Sequence, residues 1–168
     1  MNSIFNRRSV RKYLLKSIEP EKTEKLIRAA MQAPSAGNQQ PWEFIIVREK
    51  ECLEKLSEVS QYSGLVKNAP LAIVMLVNKE CLKYPDYWEQ DLSAAAQNIL
   101  LEAVEIGLGA VWLGIAPEID RMEYIKKLFN LPNNVEVFGI IAVGYPEKEG
   151  ANIFVDRYDV KKVHIEKY

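Results

Sequence analysis

The longest apolar run in the chain is A-P-L-A-I-V-M-L-V, Ala69 to Val77. It is too short to cross a membrane, is rich in branched side chains and opens on a proline, so it reads as a buried central strand. Three further runs read as strands beside it: Glu43 to Val47, Ala110 to Ile115 and Val135 to Val143. Glu43 to Val47 has too little alternation for a one-sided edge strand. Helical spacing marks four segments: residues 20 to 33, Glu49 to Val59, Asp91 to Gly107 and Pro117 to Phe129. The third is the clearest, with Leu92, Ala95, Ala96, Ile99, Leu100, Ala103 and Val104 on one stripe. Its triple alanine, 94 to 96, suits close packing in a core or a subunit interface. At 168 residues, 48% of them hydrophobic, the chain has enough apolar material for one domain with a sizeable core.

The charge balance narrows the partners. Lys and Arg number 22 against 23 Asp and Glu, which argues against a general nucleic-acid or membrane-surface binder. Cys52 and Cys81 are too few for a disulfide framework and fit a reducing compartment. The opening M-N-S-I-F-N-R-R lacks the apolar core of a signal peptide, and no run reaches the roughly 18 apolar residues of a membrane span. The expectation is a cytoplasmic protein.

Two polar stretches carry candidate chemistry. Residues Arg7 to Tyr13, R-R-S-V-R-K-Y, gather three arginines, a lysine and a serine. Guanidinium forks match phosphate oxygens bidentately, so the run suits an anion site; a solvated basic segment is the other reading. The second stretch is Ala33 to Trp42, A-P-S-A-G-N-Q-Q-P-W, between a helix pattern and a strand. Pro34 ends the helix, and Ser35 to Asn38 favour tight turns. Gln39 and Gln40 bring side-chain amides, and Pro41 predicts an extended Gln40. Such a loop either grips a planar ligand or is a well-made helix-to-strand turn.

Several mechanisms lack their parts. His164 is the single histidine, with no elbow or oxyanion loop beside it, and reads as a surface or interface residue. Two separated cysteines and one histidine make zinc a poor fit. Gly107 and Gly109 form G-x-G in the wrong context for a dinucleotide fingerprint. An enzyme built from this chain needs a cofactor to carry the chemistry. The final segment, Asn152 to Tyr168, mixes basic and aromatic residues without a core pattern and reads as a strap across a partner.

Taken together, these motifs resemble the nitroreductase family of flavin enzymes. R-R-S-V-R looks like that family's opening phosphate motif. P-S-A-G-N-Q-Q-P-W resembles its P-S-x-x-N-x-Q-P-W segment at every fixed position. N-A-P before the central strand, G-L-G-A-V-W-L-G from Gly107 and V-G-Y-P near Val143 are similar in order and spacing. The resemblance implies an α+β fold, with a mainly antiparallel sheet flanked by helices and residues 1–168 as a single domain. It also implies an intertwined homodimer with FMN at the interface. By that similarity Arg7, Arg8, Ser9 and Arg11 hold the phosphate and ribityl end, and Arg157 adds a late phosphate contact. Pro34, Ser35, Ala36 and Asn38 of the other subunit line the flavin ring. Gln61 contacts the ring edge, and Leu113 and Gly114 face the N5 side. The implied activity passes hydride from NADH or NADPH through FMN N5 to nitroaromatic, quinone or similar small acceptors. The implied kinetics are ping-pong, with no protein acid or base. A non-catalytic flavin-binding protein on the same scaffold is the alternative. The chain is short for the family and lacks insertions that cover the site in longer members.

Overall fold

The computed structural model describes residues 3–168. Its centre is a four-stranded sheet of β1 (Trp42–Val47), β2 (Leu71–Asn78), β3 (Gly109–Gly114) and β4 (Val135–Gly144), in the order β1-β2-β4-β3. All neighbouring pairs are antiparallel. Among the described residues five α-helices surround it: α1 (Ser3–Asn6), α2 (Pro20–Met31), α3 (Lys50–Ser57), α4 (Trp88–Glu105) and α5 (Ile119–Phe129).

β2 dictates this arrangement. Leu71 through Val77 are all buried, so the strand needs cover on both faces. Side chains alternate between faces along a strand. Leu71, Ile73, Met75 and Val77 pack with Leu26 and Ala30 of α2 and with the apolar stripe of α4. Ala72, Val74 and Leu76 pack with Leu53 and Leu56 of α3 and Met122 and Ile125 of α5. The result is a sheet between two helical layers, in the α+β class.

β1 is an edge strand, but not a one-sided one, in line with the weak alternation of Glu43 to Val47. Helices cover both faces even at this edge: Phe44 packs into the α2–α4 core and Ile45 into the α3–α5 core. Apolar runs on both faces therefore do not require a central position. The loop expected at Gln61 to Asn68 contains a short 3-10 helix, Ser63–Asn68, that buries Val66. Cys52 packs partly buried against the α3–α5 core, as its helical spacing implies. His164 is exposed and stacks on Tyr168.

The segment before α2 is fixed to the outer edge of β3. Ser9 pairs in parallel with Ala110, and the Val10 N–H donates to the Ala110 carbonyl at 3.0 Å. Val10 and Tyr13 are buried with Ala69, Val111 and Ala142 in a small core of their own. The Tyr13 hydroxyl donates to the Val10 carbonyl and has the Ala142 carbonyl 3.1 Å away. Burial raises its pKa well above the ordinary tyrosine value, against the pull of Arg11, so it stays a neutral donor. The basic run is thus held against the sheet edge by isolated bridges, Ser9 to Ala110 and Tyr13 to Pro146, rather than being a free solvated arm.

Gly109 permits that contact. A Cβ there would stand 2.7 Å from three Val10 side-chain carbons. Gly109→Ala should therefore destabilise the protein by roughly 1–3 kcal/mol through overpacking. Thermal unfolding would check this, and an unchanged melting temperature would contradict the docking described.

Candidate functional site

The basic segment brings three arginines together. Burial, with Arg8 and Arg157 alongside, holds the Arg7 guanidinium below its ordinary pKa. Arg157, in the irregular tail, thus adds its charge to the surroundings of Arg7. Arg8 donates from Nη1 to the carbonyls of Phe5 and Arg7. Its Nε and Nη2 groups are buried without any hydrogen-bond partner. Among the described residues none of these arginines pairs with a carboxylate. Concentrated like charge with buried, unsatisfied donors is unfavourable unless an anion completes it. A phosphate monoester, with its charge and several acceptor oxygens, fits these donors. Asn152, unflagged by sequence, ties the cluster down. Its Oδ1 accepts from the Arg8 N–H at 3.3 Å, and its Nδ2 donates to the Leu108 carbonyl at 3.0 Å.

The second stretch is a pinned loop. Asp91 lies in the first turn of α4 and is only 4% exposed. Its Oδ1 accepts from the Ala36 N–H at 2.8 Å, and its Oδ2 from Gln39 Nε2 at 2.6 Å. Gln39 Oε1 accepts from the N–H groups of Lys83 and Tyr84, both at 2.9 Å, and Nε2 also donates to the Tyr84 carbonyl. Gln39 is thus a buried structural strut, and its amide is not available to a ligand, contrary to the sequence reading. Gln40 is also corrected. It stands at φ +46° rather than extended, because its N–H closes onto Ser35 Oγ at 3.0 Å and the loop turns back before Pro41. Gly37 and Asn38 share this left-handed region, at φ +53° and +54°. The Tyr84 ring lies against Gly37 where a Cβ would be, so only glycine fits. Pro34 and Asn38 are exposed, and Ser35 and Ala36 half-buried.

A third feature is a cleft of about 540 Å³ beside β3. Arg11, Leu113 and Gly114 line it together, as do Ser60, Tyr62 and Arg121. Gln61, between Ser60 and Tyr62, is exposed and is not in the lining. Ser9 is exposed at the β3 edge, and Arg11 Nη1 donates to its carbonyl at 3.2 Å.

Within one chain the pinned loop and the arginine cluster lie far apart. The loop leads into Trp42, which pairs with Val77, itself opposite Glu136. Ser9 pairs with Ala110, which is opposite Val143, itself opposite Leu71. The two motifs therefore mark diagonal corners of the sheet: about 19 Å apart across the strands and about 20 Å along them. The length of α4 gives the same answer, since Asp91 and Glu105 are separated by about 21 Å of helix axis. No residue from 34 to 38 lines the cleft.

A family model described as the nitroreductase family matches residues 4–88 and 62–145. The chain belongs to the nitroreductase family. It is 44% identical over 170 residues to a protein of Archaeoglobus fulgidus provisionally named NADH dehydrogenase/NAD(P)H nitroreductase, all of this chain aligning with 98% of that one. A solved structure from Clostridium acetobutylicum, provisionally described as an NADH oxidase, matches with a TM-score of 0.96 and 56% identity over 99% of each chain. An FMN-dependent nitroreductase from Clostridium difficile matches with a TM-score of 0.90 and 36% identity over the full length of both.

In this nitroreductase-family chain, sequence reading missed Asp91, Asn152, Tyr62 and Arg121. Only Asp91 left a signal: with Ala95 and Ile99 it falls on the buried stripe of α4, where an acid needs a partner. The Asp91–Gln39 pair makes a sharp prediction. Asp91→Asn turns an amide N–H toward Gln39 Nε2, and flipping Gln39 would set its N–H groups against those of Lys83 and Tyr84. The loss should be roughly 1.5–3 kcal/mol. Adding Gln39→Glu restores most of the complementarity, because the new carboxylate accepts from the amide now on α4 and from both backbone N–H groups, and only the longer bond to the Tyr84 carbonyl is lost. Denaturant unfolding should show the double variant recovering more than half of the loss; a double variant weaker than Asp91→Asn would contradict this network.

Proposed function

We propose that this chain is an FMN-dependent, NAD(P)H-oxidising oxidoreductase, a single domain working as a cytoplasmic homodimer with one flavin site at each end of the subunit interface. The observation that carries the cofactor is Arg8, whose two buried, unsatisfied N–H groups sit with Arg7 and Arg157 in a cluster lacking any counter-charge among the described residues. The similarity to an FMN-dependent nitroreductase over the full chain supports the same reading. Among the described residues no helix is long and apolar enough to cross a membrane.

The roles follow from chemistry. Arg7, Arg8, Ser9 and Arg157 bind the phosphate through charge-assisted hydrogen bonds. Arg11, Leu113 and Gly114 line the cleft that receives the ring, with Gln61 at its mouth. Pro34, Ser35, Ala36 and Asn38 come from the partner chain, because one mononucleotide cannot bridge the diagonal separating them from Arg8 within a subunit. When bound, FMN supplies the two-electron chemistry, accepting hydride from NADH or NADPH and delivering it to a nitroaromatic, quinone or similar acceptor. The protein's own share is placement and exclusion: rigid walls, a pinned loop and no titratable base. Donor and acceptor use one open face in turn, so the kinetics are ping-pong.

Purified protein should be yellow, with about one FMN per chain. Arg8→Ala should weaken FMN binding about ten- to a hundredfold while leaving the melting temperature of the FMN-free protein within a few degrees, since it removes donors and no core side chain. Anaerobic NADH or NADPH should bleach the bound flavin, and double-reciprocal plots should be parallel. Colourless protein that takes up no added FMN would overturn the reading. Stable colour without bleaching would leave a flavin-binding protein that is not an enzyme.

A further inference from the structure

The cleft beside β3 holds a guanidinium that the flavin contacts above leave unassigned. Arg121 is the third residue of α5. The first turn of a helix favours acidic side chains, because its free N–H groups carry partial positive charge, and a cation there weakens the helix. Local stability therefore does not account for an arginine at this position. Ion pairing does not either: among the described residues no carboxylate pairs with Arg121. Its one side-chain hydrogen bond is a long one, Nη1 to the Gly114 carbonyl at 3.4 Å. Most of the five donors of its fork are thus uncommitted.

The surroundings of Arg121 are selective by charge. Leu65, Val111 and Leu113 supply apolar wall, and Ser60 and Tyr62 supply hydroxyls, while no Asp or Glu lines the cleft. With Arg11 the lining carries two cations and no anion. A cleft of this kind favours a flat apolar body carrying a negative group, and disfavours a cationic one. The guanidinium fork matches a carboxylate in particular, through paired N–H···O bonds.

We propose that Arg121 is a specificity-determining residue that selects aromatic electron acceptors bearing a carboxylate. The word acceptor rests on the oxidoreductase reading; the binding preference does not. Arg121 holds the carboxylate at the α5 side of the cleft, and the aromatic body stacks on the open face of the flavin ring that the Leu113–Gly114 wall receives.

The test compares 4-nitrobenzoate with its neutral amide, 4-nitrobenzamide, on the flavin-loaded protein, by equilibrium dialysis and by kcat/KM. Wild type should bind the carboxylate about tenfold more tightly than the amide, and the kcat/KM ratio should follow. In Arg121→Gln the ratio should fall to about one, and Arg121→Lys should keep part of it. Equal binding of the two compounds to wild type, or binding of neither, would overturn the proposal. So would a preference that survives Arg121→Gln, or a variant in which only the KM for NADH or NADPH rises. Dialysis separates the two claims. Protein that prefers the carboxylate but reduces neither compound contradicts the oxidoreductase reading and keeps this inference; protein that reduces both equally does the reverse.

Discussion

Burial of β2 on both faces is the constraint from which the rest follows. Each of its branched or sulfur-bearing side chains contributes roughly 1.5–3 kcal/mol only if shielded from water. Shielding both faces puts α2 and α4 on one side and α3 and α5 on the other. α4 then has to run the length of the sheet to connect the ends of β2 and β3, on opposite sides of β4. That traverse leaves one end of α4 beside the loop at 34–40 and the other beside the entry to β3. The separation of the two polar motifs is therefore a result of core packing.

Each motif is then held by buried groups of its own. At one corner Asp91 and Gln39 satisfy each other and four backbone groups, which fixes a loop whose residues 37, 38 and 40 all lie at positive φ. Such conformations persist only where surrounding contacts over-determine them. At the other corner Val10 and Tyr13 anchor the chain against β3, and Arg7 is left under the like charge of Arg8 and Arg157. The first corner is complete as it stands. The second is electrostatically incomplete, and that contrast is what the proposed phosphate site rests on.

Much of this was legible in the sequence, and the misses have physical reasons. The strands and helices announced themselves because apolar periodicity is a local property: β2 and the α4 stripe fall where the spacing puts them. The edge position of β1 did not, since double-sided helical cover gives an edge strand the same apolar character as a central one. Arg7, Arg8 and Arg157 could be named together only through motif similarity, since the like charge that Arg157 brings to Arg7 depends on a tail with no pattern. Gln39 was misjudged because side-chain amides look alike in sequence whether they meet a ligand, a buried acid or a backbone N–H, and Gln40 because a bond from its own N–H to Ser35 Oγ outweighs the extended preference before Pro41. Arg121 was invisible, being one arginine on an amphipathic helix until the fold set it beside Gly114.

The central claim is that one site is assembled from diagonal corners of two chains. The most direct measurement is activity of a mixed dimer, purified by two different tags after co-expression of an Arg8→Ala chain with an Asn38→Ala chain. Co-expression is needed because an obligate dimer does not readily exchange subunits once folded. If the sites are shared, one site collects both lesions and the other is intact, so the mixed dimer should regain about half of wild-type activity. A mixed dimer no more active than its two parents would mean that each chain builds its own site, and would contradict the account.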